Sequence, residues 1–203
     1  MDKKLKKGEY LEALLRSPQT IFSTDDAALL WKESNNAVVT DRLKKYVKVG
    51  KLFRVYRGLY AKDQNFDFFE LATRIYTPAY VSFETVLTRS GITFQYYGNI
   101  FVASYINREI SVGEQKITFV RTKNYVLSDT TGIEHKAGYA IATRERAFLD
   151  RIYVSKDYHF DNLANLHWDK VFEYLPIYHN KRLDKKVTDY YKNYQYSQPS
   201  KVM

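Results

Sequence analysis

The stretch NAVVTDRLKKYVKVGKLFRVYRGLYAK, residues 36–62, decides the fold of the N-terminal part of the chain. Its first half predicts a helix over about residues 37–49 that ends at Gly50. Apolar side chains recur there at spacings of three and four, which places them on one face: Val39, Leu43, Tyr46 and Val47. The second half predicts two short strands joined by a tight turn at Arg57-Gly58. A helix followed directly by a β-hairpin is therefore expected.

Two shorter helices are predicted upstream of this stretch. The first carries an apolar stripe and ends before Pro18, and its stripe is formed by Leu11, Leu14 and Leu15. Ser23 and Asp26 have the spacing of a capping box that begins the second helix. The predicted buried face of that helix is formed by Ala27, Leu30 and Trp31. Asn35 or Asn36 then caps the third helix. Three helices followed by a hairpin is the order of a winged helix-turn-helix.

The positive charge of the chain is concentrated in this N-terminal part. The protein has 203 residues, 32 Lys+Arg against 23 Asp+Glu, and a formal net charge of +9. Residues 1–62 hold 14 basic and 7 acidic side chains, whereas residues 63–180 hold 12 and 14. No acidic residue lies within residues 42–62, which contain eight cations. Residues 181–203 are basic again. A basic module, residues 1–63, followed by a larger and nearly neutral module, residues 64–203, is the simplest organisation.

The predicted third helix and hairpin have the charge pattern of a DNA-binding surface. The N-terminal turns of a recognition helix meet base edges in the major groove, which assigns that role to Asn36, Thr40 and Asp41, with Ala37 beside them. Cations further along contact phosphates and supply affinity without sequence choice. We assign that role to Arg42, Lys44, Lys45 and Lys48 on the helix and to Arg54 and Arg57 on the hairpin. A lysine-rich face that is merely solvated is the competing interpretation.

Residues 64–203 predict a mixed α/β module with antiparallel hairpins and C-terminal helices. A helical stripe ends at Thr77-Pro78, and Ser82 is expected to cap the next helix, which closes at Ser90-Gly91. Hairpins are predicted around Gly98-Asn99 and Gly113-Glu114. Thr143 is expected to cap a further helix, and two more follow over about residues 168–174 and 183–194. The predicted fold class of the whole chain is therefore α+β.

Several segments together resemble the AbiEi family. They are RVYRGLY at 54–60, ELA at 70–72, PAYVSFETVL at 78–87, GI at 91–92 and IATRERAFLD at 141–150. Each segment is unspecific alone, but their order and spacing over residues 20–155 match the family. Arg144 stands where the family commonly has proline, a change that affects only how the helix begins.

The resemblance implies two roles. AbiEi proteins are transcriptional repressors and antitoxins of type IV toxin–antitoxin, or abortive infection, systems. By resemblance, the winged helix would bind inverted repeats in the promoter of its own operon, and the second module would oppose a nucleotidyltransferase-type toxin. In the type IV scheme the two proteins need not form a stable complex. The expected partners are thus double-stranded DNA and, functionally, the cognate toxin.

The same sequence argues against a catalytic or metal centre. The absence of cysteine excludes a disulfide scaffold, a thiolate zinc site and a cysteine nucleophile. The spacing of His159, His167 and His179 is not that of two ligands on one helix turn. Carboxylates in the family-like segments have arginine neighbours, which favours ion pairing; they are Glu84, Glu145 and Asp150. We therefore expect no catalytic residues, no metal and no cofactor.

The sequence also predicts where the protein is located, and it leaves two alternative functions open. No signal-peptide apolar stretch follows the basic N-terminus, and the longest near-apolar run, residues 100–106, is too short to span a membrane. A cytoplasmic protein without a membrane partner is expected. The first alternative function is a protein-interaction module that docks the toxin directly, assisted by the basic patch. The second is a nucleic-acid-processing enzyme that uses Glu84 or Asp150.

Overall fold

A computed structural model of the chain describes residue 6, residues 8–155 and residues 157–197. Over these residues the fold is α+β, with nine α-helices, one 3₁₀ helix and two β-sheets. The chain divides into two compact units. The first contains the residues up to Ile75 together with Lys136–Tyr139, and the second contains Tyr76–His135 and the residues from Ala140 onward. The predicted boundary at residue 63 falls before a helix that this division groups with the first unit.

The first unit alternates short helices with a small antiparallel sheet. Its elements in chain order are α1 (Glu9–Arg16), β1 (Ile21–Ser23), α2 (Thr24–Trp31), α3 (Asn36–Lys48), β2 (Phe53–Tyr56), β3 (Leu59–Ala61) and α4 (Phe68–Ile75). The sheet order is β1-β3-β2. The three helices and the hairpin were predicted from the sequence, and all of them are present. Strand β1 was not predicted, and it pairs with β3 through Ile21 opposite Ala61.

One apolar cluster holds the first unit together. It joins side chains from α1, α2, α3 and the sheet, and its buried members are Tyr10, Leu14, Phe22, Ala27, Trp31, Val39, Leu43, Leu52 and Tyr60. Two predicted core residues are exposed instead. Leu15 is 49% exposed because α1 buries Tyr10 and Leu14 at i and i+4, and Leu30 is 38% exposed because α2 does the same with Ala27 and Trp31.

Side-chain caps fix where the helices begin. The Ser23 hydroxyl accepts a hydrogen bond from Asp26 N at 3.0 Å, and the Asp26 carboxylate accepts one from Ser23 N at 2.8 Å, which completes the predicted capping box. The Thr143 cap also forms, since its hydroxyl accepts from Arg146 N at 3.3 Å. Ser82 is not a cap, contrary to the prediction. Its hydroxyl points inward and donates to Asp150 Oδ2 at 2.7 Å.

The second unit is built on a six-stranded mixed sheet. Its elements are β4 (Tyr80–Val81), α5 (Glu84–Arg89), β5 (Asn99–Ser104), β6 (Arg108–Val112), β7 (Gln115–Arg121), α6 (Asn124–Leu127), β8 (Ile133–His135), β9 (Ala140–Ala142), α7 (Arg144–Val154), α8 (Trp168–Tyr174), the 3₁₀ helix Leu175–Tyr178 and α9 (Lys181–Ser197). The strand order is β6-β7-β5-β4-β9-β8. The predicted helices near residues 168 and 183 correspond to α8 and α9, and the end of the basic tail, with Lys201, lies outside the described residues.

One of the two predicted hairpins of this unit is wrong. β6 and β7 form the hairpin expected around Gly113-Glu114, with Val112 opposite Gln115. No hairpin turns at Gly98-Asn99, because β5 begins at Asn99 and pairs in parallel with β7 from Asn99 opposite Lys116 to Ser104 opposite Arg121. Among the helices described above, none has the length and apolar character needed to cross a bilayer.

Candidate nucleic-acid interface

Helix α3 divides cleanly into a buried and an exposed side. It begins at Asn36 because the Asn35 side chain accepts hydrogen bonds from Ala37 N at 3.0 Å and Val38 N at 3.4 Å. Val39 and Leu43 are fully buried, and Tyr46 and Val47 pack partly against the same cluster. This is the predicted apolar face. The opposite side of the helix is exposed and can contact solvent or a ligand.

The exposed side of α3 carries the predicted lysines. Lys44, Lys45 and Lys48 are all exposed. Lys44 Nζ lies 4.0 Å from Asp41 Oδ1, but both side chains are about two-thirds exposed, at 67% and 70%, so this pair is weak. Lys51, just past the helix, is exposed as well and was not among the predicted contacts. These ammonium groups remain available to an anionic partner.

The first turns of α3 combine polar and small apolar groups. Asn36, Ala37 and Asp41 are exposed, Thr40 is half-buried, and Val38 is 40% exposed. An amide and a carboxylate can read donors and acceptors on base edges, whereas a methyl group contacts the methyl of thymine. Val38 was not predicted as a contact from the sequence, because the periodic pattern of apolar residues assigns Val39, next to it, to the buried face. The N-terminal turns therefore present a more varied chemistry than the lysines that follow.

The hairpin follows α3 closely and is exposed at its cations. Backbone N–H groups of Lys51 and Leu52 donate to the Tyr46 carbonyl at 2.9 and 3.4 Å, which joins the start of the hairpin to the last turns of α3. Arg54 and Arg57 are exposed, while Tyr60 is only 4% exposed. Tyr60 therefore packs in the core and does not present its ring for base stacking.

Two of the eight cations in residues 42–62 make contacts within the first unit. The Arg42 guanidinium carbon lies 3.5 Å from the Tyr10 ring centroid and 5.5 Å from that of Trp31. Lys62 Nζ donates to the carbonyls of Leu15 and Ser17. The structure thus separates Arg42 from the other predicted DNA contacts and gives it a packing role. The exposed cations that remain are Lys44, Lys45, Lys48, Lys51, Arg54 and Arg57.

We expect Arg42→Ala to lower the free energy of unfolding while leaving the salt dependence of DNA binding unchanged. Loss of a partly desolvated cation–π contact costs about 1–2 kcal/mol, and loss of the packed side-chain stem adds to it. Urea unfolding of Arg42→Ala beside the exposed control Lys45→Ala measures the difference. If Arg42→Ala were as stable as the wild type but bound DNA as weakly as Lys44→Ala does, the packing role would be contradicted.

The carboxylates that a catalytic hypothesis would use are buried and paired. Arg144 Nε lies 3.0 Å from Glu145 Oε1, and Arg151 Nη1 lies 3.2 Å from Glu84 Oε1. Arg146 Nε lies 3.5 Å from Oδ1 of Asp150, which is 1% exposed. The predicted ion pairing of these three acids is thus confirmed. The four histidines are exposed, and no group of three or more potential metal ligands occurs in the part of the chain that the structure describes.

Asp150 lies at the centre of a buried polar network. Its carboxylate accepts hydrogen bonds from the hydroxyls of Ser82 at 2.7 Å, Tyr178 at 2.7 Å and Tyr80 at 3.2 Å. Burial raises the pKa of Asp150, and Arg146 and the Ser82 hydroxyl oppose that rise. Burial, with Asp150 nearby, also raises the pKa of both tyrosines, so their hydroxyls stay protonated and donate. The network links α7 to β4 and to the 3₁₀ helix.

Comparison with known proteins does not assign the chain to a family. No protein-family model matches the chain, and no curated protein matches it. The AbiEi resemblance therefore rests on the sequence segments quoted above.

Proposed function

We propose that the first unit is a winged helix-turn-helix and that it binds double-stranded DNA. The order of its elements supports this proposal, because α1, β1, α2, α3 and the β2–β3 hairpin succeed one another in that arrangement. Only four residues, Lys32 to Asn35, separate α2 from α3. In such a domain α3 is the recognition helix and the β2–β3 hairpin is the wing.

The observation that carries the proposal is the set of six exposed cations on α3, the turn after it and the hairpin. Three are on or beside the second half of the helix and three follow it, in the order Lys44, Lys45, Lys48, Lys51, Arg54 and Arg57. No acidic side chain occurs within residues 42–62 to offset them. Opposed charges are interspersed on an ordinary solvated surface, whereas a one-sign stretch attracts a polyanion. DNA phosphates are such a partner.

A salt titration of the full chain with duplex DNA tests the proposal. Counterion release predicts that the logarithm of the association constant falls linearly with that of the salt concentration, with a slope of about −0.9 for each phosphate contact. Six contacts would give a slope of about −5. Fluorescence anisotropy with a labelled duplex measures it. Binding that is absent or indifferent to salt would overturn the proposal.

Variants on the two parts of α3 should behave differently. We expect Lys44→Ala and Lys48→Ala to weaken all duplexes similarly and to reduce the salt slope by about one unit each. Thr40→Ala and Asp41→Ala should instead alter which base pairs are preferred, because the first turns of a recognition helix meet base edges. Selection from a randomised duplex library separates the two effects. If all four variants shifted base preference alike, the assignment of the helix face would be wrong.

The regulatory role in this proposal comes from the AbiEi resemblance. We propose that the protein represses its own promoter through inverted repeats and counters a nucleotidyltransferase-type toxin, without itself acting as an enzyme. A promoter–reporter strain tests repression. Co-expression with the product of the adjacent gene tests whether the protein relieves growth arrest. Growth arrest that persists despite full expression of this protein would contradict the antitoxin role.

Direct docking of the toxin is the second candidate, and one surface feature favours it. Phe94 and Tyr96 are 70% and 84% exposed on the irregular segment that precedes β5. Exposed aromatic side chains are enriched at protein interfaces. Phe94→Ser/Tyr96→Ser should abolish co-purification with the toxin, while Tyr196→Ser, which removes an aromatic ring that is 87% exposed on α9, should not. Equal co-purification by both variants would reject this surface.

A further inference from the structure

A cationic cleft lies within the second unit, between the end of β7 and the last turn of α7. Its volume is about 650 Å³, which falls within the range of sites for small molecules. One wall is formed by Asn107, Arg121 and Lys123, and the other by Arg151 and Tyr153. The cleft belongs to a different unit from the proposed DNA surface, so its chemistry needs a separate explanation.

The charge of the cleft is opposite to that of the segment around it. Residues 63–180 hold 12 basic and 14 acidic side chains, yet the cleft lining contains three cations and no carboxylate. Arg121 and Lys123 are exposed, and neither forms an ion pair with a residue that the structure describes. Two exposed cations on one concave surface, neither of them paired with a described residue, favour a ligand with negative charge.

Contacts behind the cleft hold its walls in place. The Asn107 side-chain oxygen accepts a 2.6 Å hydrogen bond from the backbone N of Arg121, which ties the β5–β6 turn to the end of β7. On the other wall, the Arg151 guanidinium pairs with the buried Glu84 and lies 4.6 Å from the Tyr158 ring centroid. These contacts therefore fix the backbone at Arg121 and the guanidinium of Arg151.

Arg151 also keeps a polar atom without a partner. Its side chain is 22% exposed, and its buried Nε has no hydrogen-bond partner among the described residues. Arg182, an exposed cation outside the lining, donates from Nη2 to the carbonyl of the lining residue Tyr153 at 3.5 Å. Arg151 thus contributes a mostly buried guanidinium held by Glu84, whereas Arg121 and Lys123 contribute exposed cations.

We propose that this cleft binds a phosphorylated small molecule, with Arg121 and Lys123 pairing with its phosphate oxygens. Phosphate groups accept paired hydrogen bonds from arginine and carry enough charge to engage several cations together. Because Arg151 is recessed, a small ligand that enters the cleft can reach it, whereas the broad surface of a duplex cannot. Arg151, held by Glu84, offers further N–H donors that position the phosphate.

Pyrophosphate is the probe that tests the site in the full-length protein. At constant ionic strength we expect it to raise the melting temperature of the wild type and of Lys170→Ala, which removes an exposed cation of the same unit outside the cleft. Calorimetric titration should show at least about tenfold weaker binding to Arg121→Ala/Lys123→Ala, because two charge-assisted contacts are lost. Equal binding to all three proteins, or none to the wild type, would overturn the proposal.

Two further measurements separate this site from simpler explanations. Arg121→Lys/Lys123→Arg should retain pyrophosphate binding, and its failure to bind while folded would contradict pairing through these two charges. A duplex-DNA titration completes the test. If Arg121→Ala/Lys123→Ala weakened duplex binding and left pyrophosphate binding unchanged, the cleft would be a DNA contact and the proposal would be wrong.

Discussion

Lys44→Ala/Lys45→Ala/Lys48→Ala should bind duplex DNA on the order of 100-fold more weakly than the wild type at low salt, since each charged contact contributes about 1 kcal/mol or more. The salt slope should become shallower by about three units for the same reason. Both effects should be alike for every duplex, because phosphate contacts carry no sequence information. The three side chains are exposed, so the free energy of unfolding should change by less than about 0.5 kcal/mol. Anisotropy titrations at several salt concentrations measure the binding.

A charge-matched variant controls for the net charge of the protein. Lys181→Ala/Lys185→Ala/Lys192→Ala removes three exposed cations from α9 and lowers the net charge by the same amount. We expect it to keep most of the affinity and most of the salt slope. Equal losses in the two triple variants would mean that DNA responds to overall charge, and that the face of α3 has no special role.

Arg146→Met should destabilise the protein by about 3–5 kcal/mol, because breaking a buried pair leaves an uncompensated charge. Arg146 is fully buried, and its Nε lies 3.5 Å from Asp150 Oδ1. Its other nitrogens donate to the carbonyls of Val126 at 2.7 Å and Thr131 at 2.9 Å. Methionine fills similar space but donates nothing, so those carbonyls lose their donor and the carboxylate loses its cationic partner. Urea unfolding measures the loss.

Two comparisons make this result specific to the buried network. Lys116→Met breaks an exposed pair, 3.8 Å from Glu109, and should cost no more than about 1 kcal/mol. Adding Asp150→Asn to Arg146→Met removes the stranded charge, so the double variant should be less destabilised than the sum of the two single variants. An Arg146→Met protein within about 1 kcal/mol of the wild type would show that the network contributes little to stability.

Local signals in the sequence predicted most of the first unit. The capping box at Ser23, the break at Gly50 and the tight turn at Arg57-Gly58 each act over a few residues, and each is present where expected. The Gly58 φ of 75° explains why that turn needs glycine. The lysine face of α3 followed from helical periodicity alone. The sequence therefore predicted five of the six exposed cations on α3, the turn after it and the hairpin, all except Lys51.

Features that depend on residues far away in the sequence could not be predicted from local signals. β1 has three residues, too few to show an alternating pattern, and it becomes a strand only by pairing with β3. The parallel pairing of β5 with β7 also joins segments that local turn signals do not connect. Arg42 lies at the edge of the helix face, and only the position of Tyr10 on α1 determines that it packs inward. Ser82 was assigned as a cap because its inward partner, Asp150, is 68 residues away.

The most direct test of the central proposal compares two duplexes at physiological salt. One contains the region upstream of this protein's own gene, and the other is the same length and base composition in scrambled order. Specific recognition by α3 predicts that the upstream duplex binds at least about 1,000-fold more tightly, at the lower end of the range for sequence-specific proteins. Equal affinity for the two duplexes would contradict the repressor assignment and reduce the basic surface to non-specific electrostatic binding.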